Sequence, residues 1–534
     1  MKSSRSMLND NQWHSLRIFL LIAFSVFGTF LLPRQVFSKT ILSQNDLTFV
    51  GGFRMPSVLV YNSGLALRYV DGTLKLYSVV GGNDGRKGHV IEFSPPSSLD
   101  TTYPFTQVTS YIDFGDIYQD KLVNTVSNGS KSPPAIGLAG GATPPGGLFW
   151  DETDQRMYWT KVVGYNTTSS TSDASIGYST LNDTTHTGKG VASWKLDEPA
   201  GLGGKGGRYG FSMCAIPSSF ASTYLSGKRL AVGFGGGVSI LSNGVPSFGP
   251  AVFAIDPPSL INEDHLDYLS SEPQELLSHW ASTEKHWAIR NPLYPGLNHR
   301  SLNTGTTNYW FEEDSSKFGV WIDTGNKQGI LIWALMGAGV ADTIVTSVTS
   351  NSVFTVADAG DIQANDIIRI YTDYNPNPSY PFEQPRVASV VGNTITLATP
   401  TTGNFSSGAV VQAGDWYAGG GPSTTRYWTP LYIYDQDDLA NTARDPITYP
   451  PYGIEPTSNS NFALEGINYP LRGQLTGNRE ANIGVPRGMA YDPATHYIYF
   501  AARGTTSSQT DVWVYKIDDP MDGTLLPPSS LSIQ

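Results

Sequence analysis

Four aspartates at matching places in the chain are the first candidates for chemistry. Asp71, Asp151, Asp323 and Asp492 each end a short apolar segment that is followed by a polar turn and a second apolar segment. Carboxyl groups that converge on one pocket can act as the general acid and base of glycoside cleavage. Aspartate is also favoured in turns, where its carboxylate accepts backbone hydrogen bonds. Because catalysis does not need a carboxylate in every repeat, we interpret these four residues as turn residues.

A second set of candidates combines aromatic rings with arginine and glutamate in the long segments between strands. Rings can cover the apolar faces of sugars while planar polar groups bind the hydroxyls, so these residues suit a glycan. The alternative is that long segments need aromatic residues to pack themselves. The candidate ligand-binding residues are Trp287, Arg290, Trp310, Glu312, Trp416, Arg426, Trp428, Glu465, Arg472 and Arg487. No catalytic residue is assigned.

Two short motifs invite a cofactor or metal interpretation. Residues 201–206 match the string G-x-G-x-x-G, but neither a strand before it nor a helix after it is predicted, and a dinucleotide site needs both. Residues 435–438, Asp-Gln-Asp-Asp, lack the glycine and the twelfth-position glutamate of a calcium loop. We therefore predict a turn for the first motif and a solvent-exposed segment at the end of a strand for the second. We predict no cofactor or metal site.

The histidines and the single cysteine are interpreted as structural. His279 and His286 lack ligand spacing and fall in a candidate amphipathic helix with Leu276 and neighbouring aromatic residues. Cys214 lies in the apolar stretch Phe-Ser-Met-Cys-Ala and cannot form an internal disulfide. A buried, unreactive thiol is the expected state of such a cysteine.

The elements that must position these residues are recurring hairpins. Apolar segments on either side of a turn predict a β-hairpin. Four hairpins contain the aspartates, and an irregular fifth has a longer, Ser-rich turn; the paired segments are 65–71 with 74–77, 147–151 with 157–159, 319–323 with 330–333, 488–492 with 497–500, and 209–216 with 229–234. Each is followed by an alternating exit strand that ends in Pro or Asp, at 90–96, 192–199, 252–258, 431–435 and 512–520.

Five hairpins with five exit strands predict an all-β protein, a five-bladed β-propeller in residues 39–341 and 416–534. Six or seven blades remain open if a weaker blade lies in 261–316 or 441–484. Residues 342–415 do not follow the repeat and contain β-branched runs between Gly/Asn turns, so we predict a small β-domain, sandwich or barrel, inserted in blade four. If the hairpin and exit are the second, third and fourth strands of a blade, this insertion leaves on the face opposite the Asp turns. The long inter-blade segments then lie on the Asp-turn face.

The N-terminus predicts export. Basic residues precede an apolar run over 18–32, and Val36-Phe37-Ser38 offers small residues before a cleavage site, so residues 1–38 are expected to be a signal peptide. An uncleaved anchor is the alternative, but the run is shorter than the ~20 residues of a membrane-spanning helix. We expect a secreted, periplasmic or cell-surface protein without a membrane span after cleavage. The net charge of the full chain, −12, argues against nucleic-acid partners.

Two hairpins resemble known extracellular propellers. Residues 157–160, Met-Tyr-Trp-Thr, resemble the start of the YWTD-type propeller repeat, although Lys161 stands in place of its aspartate. Residues 488–493, Gly-Met-Ala-Tyr-Asp-Pro, are similar to the hairpin of other six-bladed extracellular propellers. The resemblance covers the hairpins only and implies a fold. Five-bladed propellers as a class include both lectins and carboxylate-dependent glycosidases, so this likeness does not choose between binding and catalysis.

Three functional hypotheses follow. The first is an exported propeller that binds a glycan or another extracellular polymer. The second is a polysaccharide-cleaving glycosidase or lyase that uses axial carboxylates such as Glu465 or Glu312. The third is an adhesion or structural protein that acts through the inserted module. Whether the protein is an enzyme is left open.

Overall fold

The structure is a computed structural model that describes residues 39–59, 62–81, 86, 88–118, 124–125, 131–132, 146–160, 176–194, 212–234, 250–256, 274–278, 315–337, 342–359, 362–366, 368–371, 382–413, 415–416, 422–423, 426–451, 454–458, 462–467, 471–472, 484–506 and 508–519. Strands dominate these residues and confirm the all-β prediction. None of the helices in the described ranges is both long and apolar enough to cross a membrane.

The first described strands are β1 (Thr40–Ile41) and β2 (Leu47–Arg54), with a 3-10 turn at Gln44–Asp46 between them. The first sheet follows, with β3 (Ser63–Val70), β4 (Thr73–Val79), β5 (His89–Phe93) and β6 (Ile112–Asp116) paired antiparallel in chain order. The β3–β4 turn is formed by Asp71 and Gly72, with φ values of 49° and 75°. Two positive φ angles are what a two-residue hairpin turn requires, and Asp-Gly supplies them.

The second and third sheets repeat this order. After the short pair β7 (Asn124–Thr125) and β8 (Lys131–Ser132), the second sheet comprises β9 (Leu148–Asp151), β10 (Arg156–Thr160), β11 (Ile176–Asn182) and β12 (Thr187–Trp194). The third comprises β13 (Ser212–Ala215), β14 (Leu230–Gly233), β15 (Ala251–Ile255) and β16 (Gln274–Ser278). A short helix, α1 (Ser218–Tyr224), occupies the Ser-rich turn of the irregular hairpin. Leu276 lies in β16, so the helix expected around it is wrong for residues 274–278.

The fourth sheet is interrupted by a second, separate sheet. Strands β17 (Ser315–Asp323) and β18 (Lys327–Gly337) form the hairpin. The separate sheet is built by β19 (Asp342–Ser350), β20 (Val353–Val356), β21 (Ile368–Tyr371), β22 (Phe382–Glu383), β23 (Val387–Val391), β24 (Thr394–Leu397) and β25 (Val410–Ala413), in the order β22-β21-β25-β19-β20-β24-β23. Val387 near one edge exchanges backbone hydrogen bonds with Asn365 and Asp366, which precede β21 near the other edge, so the sheet curls around its own apolar cluster.

The chain then returns to the fourth sheet and completes the fifth. Strands β26 (Asp415–Trp416) and β27 (Pro422–Ser423) pair with each other, β28 (Arg426–Trp428) and β29 (Leu431–Tyr434) both pair with β18, and α2 (Gln436–Arg444) follows. After β30 (Leu471–Arg472), the fifth sheet contains β31 (Pro486–Asp492), β32 (Tyr497–Arg503) and β33 (Thr510–Ile517). Its fourth strand is β2, from the opposite end of the sequence.

The first strands of the five sheets contact one another in a cycle: β3 with β9, β9 with β13, β13 with β17, β17 with β31, and β31 with β3. Glycines allow the close approach. A Cβ atom on Gly147 would lie 2.6 Å from the Cα of Ser212, and one on Gly488 would lie 2.9 Å from the Cβ of Leu65. These positions therefore need glycine for packing between strands.

Apolar clusters fill the space between consecutive sheets, and the fifth sheet shares one with the first. Representative pairs, taken in sheet order, are Tyr77 with Trp159, Tyr158 with Phe253, Val252 with Ile332, Trp333 with Phe500, and Val512 with Ile91. Because many strands are covered on both faces, few positions are left for charges. This explains why charged residues make up only 15% of the chain.

The strand order corrects two expectations. The predicted hairpins are the first and second strands of their sheets, and the exit strand is third in every sheet except the second, where it is fourth. We call the end that carries residues 71, 151, 323 and 492 the hairpin end, and the end at which β3, β9, β13, β17 and β31 begin the loop end. By strand alternation, both the insertion after β18 and the connections between sheets leave at the loop end. The prediction that they lie on opposite faces is wrong.

Candidate functional site

At the hairpin end, three of the four aspartates cap their own turns. The Oδ1 atom of Asp151 accepts a hydrogen bond from the Thr153 amide at 2.8 Å, and Asp323 and Asp492 accept from the amides two residues further on at 2.9 and 3.0 Å. The turn role is confirmed at these positions. Asp71 differs, since it lies inside the two-residue turn in the left-handed region of φ.

Two of these carboxylates also bind a neighbouring sheet. Asp492 accepts a hydrogen bond from the Tyr69 hydroxyl of the first sheet, and Asp151 forms an ion pair with Arg229 of the third sheet. Arg229 also binds Asp154, and although burial acts to raise the pKa of Asp154, hydrogen bonds from Tyr158 and Arg229 lower it below its ordinary value. The aspartates thus hold turns and neighbouring sheets in place.

At the loop end, strands from distant segments extend the fourth sheet. The end of β18 pairs with β28, so that Met336 is opposite Trp428. Strand β28 pairs in turn with β30, where Arg426 is opposite Arg472. Three of the predicted ligand residues, separated by up to 46 positions between 426 and 472, are therefore brought onto two adjacent strands.

The other described ligand candidates lie in different settings. Trp416 is in β26, opposite Pro422. Glu465 is exposed, and its backbone is held by the fifth sheet: its carbonyl accepts from the Trp513 indole at 3.0 Å and its amide donates to the Tyr515 hydroxyl at 3.2 Å. A carboxylate on a fixed backbone can accept hydrogen bonds from a ligand.

Arg487 lies near the start of β31 and is buried, with 7% of its surface exposed. Its Nη1 atom donates to Thr510 Oγ1 at 3.2 Å and lies 3.5 Å from Asn62 Oδ1. Asn62 donates to Ser78 Oγ at 2.9 Å, and Ser78 donates to the carbonyl of Gly64 at 2.8 Å. Arg487 is thus part of a buried polar network between the first and fifth sheets.

Sequence reasoning missed the partners of Arg487. These partners are isolated polar residues at Asn62, Ser78 and Thr510, and no sequence spacing relates them. Ser78 lies in β4, Thr510 lies in β33, and Asn62 directly precedes β3. The fully buried Ser78 within the run Leu-Tyr-Ser-Val-Val is the one local signal, since a polar side chain in a buried strand needs a partner.

Several predictions lie outside the described residues. These are the ligand candidates Trp287, Arg290, Trp310 and Glu312, the glycine string at 201–206, the histidines 279 and 286, and the signal segment 1–38.

The acidic run at 435–438 begins a helix. Asp435 is the N-cap of α2 and accepts a hydrogen bond from the Asp437 amide at 2.9 Å. The prediction of a solvent-exposed segment at the end of a strand is therefore wrong for residues 435–438. Burial, followed by the charges of Asp435 and Asp437, raises the pKa of Asp438. Within the described ranges, His, Cys, Asp and Glu side chains do not form a group that could hold a metal ion.

Cys214 is buried in β13, and burial raises the pKa of its thiol from the ordinary 9.0 to about 12. The thiolate is the reactive form of cysteine, so the prediction of an unreactive core residue agrees with this environment.

Comparison with known proteins gives little similarity. No protein-family model matches the chain, and no curated protein matches it. Among solved structures, the Gp54 tailspike of Acinetobacter baumannii bacteriophage AP22, in complex with A. baumannii capsular saccharide, is 27% identical over 15% of this chain and 15% of the tailspike chain, with a TM-score of 0.12. Because the TM-score is so low, this similarity does not indicate a shared fold.

Proposed function

We propose that the five sheets are the blades of a five-bladed β-propeller. Support comes from the cyclic contacts between the first strands and from the apolar clusters between consecutive sheets. Strand β2 adds to the fifth sheet, so that the N-terminal segment joins the last sheet and lies beside the first. A propeller leaves only short sheet edges, which suits a protein made of short strands.

We further propose that the protein is exported after removal of residues 1–38, and that residues 342–415 form a small β-domain inserted in blade four. The second proposal is supported by the strands between residues 342 and 413, which pair only with one another among the described strands and surround an apolar cluster of their own.

The function that this geometry supports best is binding of a glycan or another extracellular polymer at the loop end. One observation carries the proposal: β28 and β30 bring Arg426, Trp428 and Arg472 together from separate segments. An indole can stack on the apolar face of a sugar ring, and guanidinium groups donate hydrogen bonds to hydroxyl or acidic groups. Extended loops at one end of a rigid β scaffold are also a common location for binding residues.

A glycan-array screen of residues 39–534 tests this function. We expect binding to a subset of polymers. Trp428→Ala should reduce that binding, because the stacking surface is lost. Tyr449→Ala is the matched control, since Tyr449 is an aromatic residue 51% exposed in the segment that follows α2, and α2 begins at the hairpin end, where β29 ends.

Product analysis of each bound polymer separates binding from cleavage. Intact polymer supports a binding protein, whereas shortened chains, lost on Glu465→Gln, support the carboxylate-dependent enzyme instead. Absence of binding across the array, or equal losses in Trp428→Ala and Tyr449→Ala, would overturn the proposal.

A further inference from the structure

Two arginines occupy directly opposed positions at the loop end. In the antiparallel pairing of β28 with β30, the partner of Arg426 is Arg472, and the next pair is Tyr427 with Leu471. The two positions lie on the same two-stranded segment that extends β18 beyond its hairpin. This arrangement follows from the backbone register alone.

Like charges at such positions have an energetic cost. Residues directly opposite one another in an antiparallel pair have Cβ atoms roughly 4.5–5.5 Å apart, and equal charges there destabilise the pair. Guanidinium groups remain charged at all physiological pH values. An anion shared by both arginines would turn this repulsion into attraction, because carboxylate and sulfate oxygens match the planar fork of guanidinium donors.

The net negative charge of the chain bears on which ligands this arginine pair can bind. At −12, the protein repels polyanions on average. The described aspartates of the turns lie at the hairpin end, away from Arg426 and Arg472. The carboxylates of Asp151, Asp323 and Asp492 therefore lie at the opposite end of the sheets from this arginine pair.

We infer that Arg426 and Arg472 together bind an oxyanion of an acidic glycan, either the carboxylate of a uronic acid or a sulfate ester. This inference rests on the proposed glycan-binding function and specifies its ligand class. Trp428, two positions after Arg426 on β28, is the aromatic residue that accompanies the charged pair.

Binding of residues 39–534 to three soluble polymers tests the inference: polygalacturonate, dextran sulfate and unmodified dextran. We expect the polygalacturonate or the dextran sulfate to bind more tightly than dextran, with affinity falling as NaCl is raised. The preference between the first two identifies the source of the oxyanion. Arg426→Gln and Arg472→Gln should each weaken acidic-polymer binding by about tenfold or more, the loss expected for a charge-assisted hydrogen bond.

Arg444→Gln is the control, because it removes the same charge from an exposed arginine on α2. It should leave binding within about twofold of the wild type, since surface charges remote from the ligand contribute little. Thermal unfolding gives a second readout. Without polymer, Arg426→Gln should unfold at the wild-type temperature or above it, because like charges at directly opposed positions destabilise a strand pair. Polygalacturonate or dextran sulfate should stabilise the wild type and not a double variant that combines Arg426→Gln with Arg472→Gln.

The outcomes separate the two proposals. Equal binding of dextran and the acidic polymers, or equal losses in Arg426→Gln and Arg444→Gln, overturns the acidic-ligand inference and leaves glycan binding in place. A large drop in the unfolding temperature of polymer-free Arg426→Gln also overturns it, because the arginine then has a structural role. Absence of binding to these polymers and to the glycan array overturns both proposals.

Discussion

The hydroxyl of Tyr69 lies 2.8 Å from Oδ2 of Asp492, and this hydrogen bond joins the first sheet to the fifth. Asp492 is 1% exposed and uses its other oxygen to cap its own turn. Burial, followed by the hydrogen bond to Asp492, raises the pKa of Tyr69, so the phenol remains the donor at neutral pH. The carboxylate of Asp492 thereby connects its own turn to the contact between the first and fifth sheets.

Removal of this donor tests the connection. Tyr69→Phe should lower the free energy of unfolding by about 1–3 kcal/mol, because a buried carboxylate loses a hydrogen bond. Urea denaturation monitored by tryptophan fluorescence measures the change. Tyr449→Phe, at an exposed position, should leave the stability almost unaltered. A Tyr69→Phe variant as stable as this control would show that the contact contributes nothing.

The close approach of the first strands predicts that alanine costs more stability at Gly147 than at Gly72. Gly147→Ala would place a Cβ 2.6 Å from the backbone of Ser212 and should destabilise by about 1–3 kcal/mol through overpacking. Gly72→Ala meets open space but must keep a φ of 75°, so we expect a cost of about 1 kcal/mol. Denaturation of both variants compares the effects. A smaller loss in Gly147→Ala would contradict the packing between the second and third sheets.

The lowered pKa of Asp46 predicts that its contacts stabilise the folded protein in a pH-dependent way. Burial acts to raise the pKa of Asp46, but hydrogen bonds from Lys327 and Ser43 lower it below its ordinary value. A carboxyl whose pKa is lower in the folded protein adds stability above its unfolded pKa of about 3.9 and loses that contribution as the pH falls through the folded value. Asp46→Asn should therefore cost about 1 kcal/mol near neutral pH and less near pH 3.

Urea unfolding of the wild type and Asp46→Asn at both pH values gives this difference. Asp71→Asn is the control, because Asp71 is exposed and asparagine also tolerates a positive φ. The same loss in Asp46→Asn at both pH values would show that the charge of Asp46 is not what stabilises the segment.

The raised pKa of Cys214 predicts protection from alkylation. With a thiol pKa of about 12, native protein should react with iodoacetamide at pH 8 far more slowly than a free thiol. Mass spectrometry follows the labelling, and the same reaction in concentrated urea shows the reactivity of the unfolded chain. Equal labelling rates in both conditions would place Cys214 at an accessible site.

Much of the strand content could be predicted because its causes are local. The alternation around Asp71 and Asp492 and the Asp-Gly turn at 71–72 act over a few residues, and the hairpins form where these patterns lie. The order of strands within a sheet could not be predicted in the same way. Whether the exit strand is third or fourth depends on pairings such as β10 with β11, which no local pattern distinguishes.

In the candidate site too, the sequence predicts residue types but not which residues become neighbours. Arg426, Trp428 and Arg472 could be chosen from their residue types, but their adjacency depends on the pairing of β28 with β18 and β30. The buried partners of Arg487 were missed because Asn62 and Thr510 are 448 residues apart in sequence.

By itself, the sequence determined the all-β character, the hairpins and the turn role of the aspartates, since backbone dihedral preferences and Asx hydrogen bonds act within a few residues. The tertiary structure decided that β2 joins the fifth sheet, that the insertion and the inter-sheet connections share one end, and that Arg426 is paired with Arg472 in the register of β28 and β30. These features arise from pairing and packing between residues distant in the chain. Their free energy depends on which surfaces fit together, and a local pattern does not encode that choice.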